Sequence, residues 1–280
     1  MDEENNKELS TEVTEQDLAE AWTDEFGVKY SKDGKRLLKG ADIEKYRIKD
    51  GTEVICDKAF LEAESLKSII IPNSVRCIGI AAFAKCSSLK SIEIPDSVTS
   101  IGNSSFYGCS SLQRIEISDS VTIIGEDAFY DCESLQSLEI PNSVTSIGDG
   151  AFCNCSSLQS IEIPNGVMNI GGGAFNGCNL LLTIQGNRLR YIEDGICMID
   201  VNKHSVISCF QKNIQSYTIP KYVTNIDEHA FSNCKSLKRI EIPNSVTSIH
   251  NWAFFGCESL KRVVITNSVT NIGSGVFDFC

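Results

Sequence analysis

The chain has 280 residues, 42% of them hydrophobic, and a formal net charge of −12. That acidity excludes a nucleic-acid surface, which needs a basic face, and argues equally against an anionic membrane surface. No apolar run approaches the ~18–20 residues that span a bilayer, so no membrane insertion is expected.

Residues 1–25 carry ten acidic side chains and only Lys7 as a base. Residues 1–10 are expected to be disordered, because so polar a stretch buries too little to order itself. The stretch has neither the basic nor the apolar region of a secretory signal. The chain therefore reads either as a protein that stays inside the cell or as one whose export signal lies outside this stretch. Thr14-Glu15-Gln16-Asp17 predicts the capped start of a short helix, with Leu18 and Trp22 on one face. Those two side chains are expected to cover the raw end of the core that follows.

Residues 26–59 read as a hairpin and a degenerate first copy of a repeat. Asp33-Gly34 predicts a type I′ turn, and Ile43, Tyr46 and Ile48 supply the copy's apolar alternation.

The repeat proper fills residues 60–186. Phe60, Phe83, Phe106, Phe129, Phe152 and Phe175 are spaced by 23, and one unit reads FYDCESLQSLEIPNSVTSIGDGA. Counting Phe as zero, Leu at +6 and Ile or Leu at +9 and +11 alternate inward, which predicts a short strand. Pro-Asn-Ser or Pro-Asp-Ser then breaks it as a turn. V-T-S-I-G is a second short extended segment. D-x-A-F-x-x-C is too short for a helix and predicts a 3₁₀ turn or a tight loop. One unit cannot bury these side chains alone, so units must stack.

From Phe175 to Phe231 the spacing is 56, two units plus ten residues. The excess falls in a hairpin-like insertion over residues 187–213, with D-G-I-C-M-I-D-V-N-K entering a turn and S-V-I-S-C-F returning. Gly172-Gly173, just before it, reads as the repeat glycine plus an ordinary loop residue. Residues 214–280 resume the repeat: Ile214, Tyr217 and Ile219 match Ile43, Tyr46 and Ile48, and Phe231, Phe254 and Phe277 follow. The chain stops on Cys280 with no polar cap in view; the expectation is that a partner or a second copy covers this end, the latter by end-to-end self-association, or that the chain is a fragment.

Thirteen cysteines suggest a disulfide framework until their spacing is read. Cys86, Cys109, Cys132, Cys155 and Cys178 lie 23 apart, as do Cys234, Cys257 and Cys280, each three residues after its Phe. Stacked equivalents sit about 4.8 Å apart with parallel side-chain vectors, whereas a disulfide wants converging Cβ atoms ~3.8 Å apart. They read as small buried hydrophobes. Cys56, Cys77, Cys153, Cys197 and Cys209 fall off this ladder, and no zinc spacing is present.

The motifs L-x-x-I-x-I-P-x-S-V-T-x-I-G and A-F-x-x-C, which cover residues 43–280 with one interruption, resemble the BspA-type leucine-rich repeat. The resemblance implies a right-handed, mostly-β leucine-rich-repeat superhelix of α/β-type solenoid, with a parallel sheet on one face and short 3₁₀ turns or loops elsewhere. It also implies a microbial surface or secreted protein engaged in adhesion or protein binding.

Positions +7, +8 and +10 should show on the strand face. The +10 column holds Glu93, Glu116, Glu139, Glu162 and, further on, Glu241; Arg114, Arg239 and Arg262 stand at +8. Neighbouring carboxylates about 5 Å apart in water repel by roughly 0.8 kcal/mol, which a fold tolerates. These eight residues are the candidate partner-binding residues. A straight row of carboxylates does not converge on a metal, and no cofactor is expected. His204, His229 and His250 occupy different repeat positions, and no phosphate-loop, nucleophile-elbow or zinc-protease motif occurs. Asn103-Ser104-Ser105 and Asn154-Cys155-Ser156 match the glycosylation sequon, a pattern short enough to arise by chance.

The expectation is a non-catalytic scaffold that binds an unknown protein partner or a host or matrix component. A glycan-binding surface is the alternative, if the loop residues Tyr107, Tyr130, Trp252 and Phe255 cluster. A structural spacer is the third reading.

Overall fold

A computed structural model describes residues 10–178, 181–184, 189–191, 197–200, 203–209 and 213–280; the disorder expected of residues 1–10 falls, Ser10 apart, outside them. The molecule is a mostly-β solenoid of about nine turns. Among the described residues the one helix is Glu15–Glu20.

Among the described residues most turns contribute two short strands. The first kind, as in Ser68–Ile70, Ser91–Glu93 and Arg114–Glu116, pairs in parallel with its repeat equivalent. Ile92 faces Ile115 and Glu93 faces Glu116. The V-T-S-I segments build a second sheet: Cys77–Ile78, Ser100–Ile101, Ile123–Ile124, Ser146–Ile147 and Asn169–Ile170 run in an unbroken parallel ladder. The expected sheet on one face is therefore joined by a second, more continuous one. Between them Leu89, Leu112, Leu135 and Leu158, with Val98, Val121 and Val144, are fully buried.

The Phe residues form the axis of this core. Phe60 through Phe175 stack ring on ring with centroids 5.3–5.4 Å apart and interplanar angles of 3–9°. That separation exceeds the ~4.8 Å strand spacing, so successive rings slide sideways into offset stacking.

The A-F-x-x-C segment is a tight loop of successive β-turns, as its sequence predicts. Ala82 N donates to Gly79 O (3.3 Å), Ala84 N to Ala81 O (3.1 Å) and Cys86 N to Phe83 O (3.2 Å). Residues two before and two after each Phe take positive φ, as at Ala81 (53°) and Lys85 (60°), and this reversal stops a helix from propagating. The turns also bond to one another: Phe83 N donates to Ser105 O and Phe106 N to Ala128 O.

At the N-terminal end, Lys29–Tyr30 and Arg36–Lys39 form an antiparallel pair. Their turn is not type I′. Only Gly34 has positive φ (76°), and its N–H donates to Ser31 O at 2.8 Å. This is a type I turn followed by a left-handed glycine, and the strand register shifts beside it. Thr14 caps the helix in a reciprocal capping box with Asp17, as its sequence predicts. Leu18, however, stays 41% exposed, and Trp22 has left the helix for strand Trp22–Thr23. Trp22 stacks on buried Tyr30 at 5.0 Å, while Val13 and Ala21 pack on Leu38, Val54 and Cys56. The helix has no buried residue, and the Asp17–Arg36 ion pair (2.8 Å) ties it down.

A second hairpin opens the second block. Cys197–Asp200 pairs antiparallel with Ser205–Cys209, which in turn pairs in parallel with Asn225–Ile226. Both strands are buried on both faces. Met198 and Ile207 enter the core of the first block; Cys197, Ile199, Val206 and Cys209 enter that of the second. Two-sided burial explains the unalternating run C-M-I. Tyr46 and Tyr217 sit at equivalent strand positions, each tilted against the first Phe of its block.

The repeat glycine of this unit is Gly171, not Gly172. Ile147 pairs with Ile170, so Gly171 is the counterpart of the repeat glycine Gly148. Gly172 and Gly173 both lie in the loop, where they touch the second block. A β-carbon on Gly172 would collide with the carbonyl of Glu228, and Gly173 has φ of 64° with its N–H donating to Ile207 O.

Candidate binding surface

On the strand face, period-two alternation does what the sequence predicts. Ile92, Ile115, Leu138 and Ile161 point inward, and Glu93, Glu116, Glu139 and Glu162 are exposed. The eight candidates do not form one sheet. Glu93, Arg114 and Glu116 share a four-stranded sheet; Glu162 lies in strand Ser160–Ile163 of another; Arg239, Glu241 and Arg262 share a third. Glu139 lies between the first two, where an isolated bridge from Arg114 to Ser137 is all that remains of the ladder.

The arginines alter the electrostatics of the column. Arg114 pairs with Glu116 of its own strand (2.8 Å) and Arg239 with Glu241 (2.6 Å). Thr218 Oγ1 also donates to Glu241. Glu93 and Glu139 form no ion pair with another described residue. Arg262 stands directly across from Arg239. These pairs are exposed and stabilise the fold by ~0–1 kcal/mol, so they shape the field more than the stability.

Where the ladder opens, a shallow hollow of about 910 Å³ lies between Arg114, Glu116, Asp119, Glu139 and Glu162. Ser118 stands here in the place of the turn proline. Its hydroxyl donates to Asp96 Oδ1 (2.8 Å) and accepts from Ser120 N (3.1 Å). The signal for it was present in the sequence as I-S-D-S-V where neighbouring units have I-P-N-S-V or I-P-D-S-V.

All thirteen cysteines are free thiols. The ladder cysteines have a role beyond filling space. The Sγ–H of Cys86 donates to Phe60 O, that of Cys109 to Phe83 O and that of Cys132 to Phe106 O, at 3.1–3.2 Å. Each of these carbonyls also accepts the N–H three residues on, so both lone pairs are used. Burial pushes the Cys132 thiol far above its ordinary value and Cys56 up to about 11, which removes the thiolate that nucleophilic chemistry needs. A disulfide-exchange reagent should therefore modify exposed Cys280 quickly and half-exposed Cys77 more slowly in the native protein, and all thirteen only in denaturant. Fast native labelling of Cys132 would contradict this burial.

The histidines do not converge. His204 and His250 are exposed, and His229 stacks on Trp252 at 5.3 Å. Burial lowers the His229 pKa against the opposing pull of Asp149. Among the described residues no group of three or more His, Cys, Asp or Glu side chains could hold a metal, and no helix is long and apolar enough to cross a membrane.

Stacked turns, a parallel ladder on each of two faces, and buried Leu, Ile and Phe columns define a leucine-rich-repeat solenoid. The chain belongs to the BspA-type leucine-rich-repeat family, whose model matches in six copies over residues 34–136, 77–197 and 206–280. It is similar to a leucine-rich cell surface protein of Faecalibacterium prausnitzii A2-165, with 26% identity, a TM-score of 0.55, and coverage of 93% of this chain and 92% of that one. The pneumococcal vaccine antigen PcpA shares the fold at 19% identity and a TM-score of 0.57, over 95% of this chain and 78% of its own. No curated protein matches the chain in sequence.

Proposed function

We propose that this protein is a non-catalytic scaffold that binds a protein partner through its strand face, at a cell surface. The carrying observation is the exposed column Glu93, Glu116, Glu139 and Glu162, set on a buried core, with the last three lining the hollow where the first sheet opens. A carboxylate row on a regular lattice favours a partner that brings basic or hydrogen-bond-donating groups at strand spacing. The cell-surface description of the similar F. prausnitzii protein supports the location. Buried, protonated thiols and the dispersed histidines favour binding over catalysis.

The test is the triple variant Glu116→Gln, Glu139→Gln, Glu162→Gln. Partners captured by the wild-type protein from an extracellular protein fraction should bind the variant at least about tenfold more weakly, with a shallower salt dependence. Undiminished binding would remove the strand-face reading.

A further inference from the structure

On the loop side, at the junction of the two blocks, lies a second hollow of about 390 Å³. Tyr107, Tyr130, Asp127 and Asp149 line it from the first block, and Glu228 and Phe255 from the second. The repeat fixes the Tyr residues one turn apart, and their half-buried rings stack at 5.2 Å. The walls are held by contacts across the junction. Asn176 Nδ2 donates to His229 O at 2.6 Å, and Ser208 Oγ donates to Asn176 Oδ1.

The charge of this hollow is unbalanced. The Asp127 carboxylate makes no hydrogen bond or ion pair with another described residue. Burial raises its pKa, and Glu126, Asp149 and Asp131 raise it further; burial and Asp149 raise that of Glu228, against the opposing pull of His250 and a hydrogen bond from Asn251. His229, with its pKa lowered by burial, supplies no positive charge at neutral pH, and no Lys or Arg lines the hollow. A solvated acidic face would spread such carboxylates apart. Here the close packing at Gly172 and Gly173 brings two sets together beside aromatic rings.

We propose that the junction hollow binds the guanidinium of an arginine on a partner protein. A guanidinium is planar, so it stacks on tyrosine, and its fork of donors matches carboxylates held on two sides. The volume is within the range of pockets that enclose a small ligand group. This site is independent of the strand face, which lies on other residues.

Calorimetric titration with acetyl-Gly-Arg-Gly-amide tests the proposal. The citrulline peptide, which keeps the shape and loses the charge, should bind at least about tenfold more weakly. The double variant Asp127→Asn, Glu228→Gln should lose affinity by about the same factor, and its melting temperature should hold or rise because repulsion is relieved. The strand-face triple variant should keep wild-type affinity for the peptide. Equal binding of the arginine and citrulline peptides, undiminished binding by the double variant, or no binding by the wild-type protein would each overturn the proposal. So would saturation of the hollow by maltotetraose in place of the arginine peptide, which would assign the aromatic rings to a sugar.

Discussion

Replacing Phe129 with alanine should lower the thermal unfolding midpoint by about 10 °C. A buried Phe→Ala change costs about 3–5 kcal/mol, and a chain of this size loses roughly 2–4 °C per kcal/mol. Phe129 is fully buried and stacks on Phe106 at 5.4 Å and on Phe152 at 5.3 Å. The cavity would therefore break two ring contacts and strip the lining of two neighbouring turns. The backbone cannot collapse to fill it, because Phe129 N donates to Ala151 O and Cys132 Sγ to Phe106 O. Phe277→Ala is the control: its ring is half-buried and stacks on Phe254 alone, so the loss should be less than half as large. Equal losses at the two sites, measured by calorimetry, would show that stability is not set by neighbouring turns.

The repeat was legible because each of its positions has a single physical demand. Phe at zero, Leu at +6 and Ile at +9 meet the same environment in every turn, so the spacing alone places them in one core. The strand-face carboxylates follow from the same period. What the period could not supply is contact between residues that differ in their turns. Leu18 and Trp22 look like partners at helical spacing, but the helix ends at Glu20, and Trp22 instead finds the face of Tyr30. Asp33-Gly34 has the letters of a type I′ turn; which φ values turn positive depends on the register shift beside it. The pairing of Arg114 with Glu116 was readable from their two-residue spacing on one strand face, whereas the opening of the sheet beside it was not. The hollow at the junction draws on Asp127 and Glu228, about a hundred residues apart. Its one local signal is the run Gly171-Gly172-Gly173, which departs from the Gly-Asp-Gly of the preceding unit.

Gly172 carries the second large effect. Its α-carbon lies so close to the Glu228 carbonyl that a methyl group cannot fit, and the obstacle is backbone, which cannot swing aside as a side chain can. Gly172→Ala must therefore push the first block away from the second. Overpacking of this kind costs about 1–3 kcal/mol where the surroundings adjust, which corresponds to a midpoint lower by roughly 5 °C. The position also predicts a change in cooperativity. Met198 and Ile207 are buried in the first block while Ile199 and Val206 of the same two strands are buried in the second, so the hairpin couples the blocks only while both faces stay covered. Calorimetry should resolve a single wild-type transition into two in the variant. Asn176 Nδ2 would lose the carbonyl of His229, and the arginine peptide should bind at least about tenfold more weakly because the carboxylates on the two sides have separated. A single transition at the wild-type temperature would mean that the blocks do not depend on this contact, and the junction hollow would then need another source of rigidity.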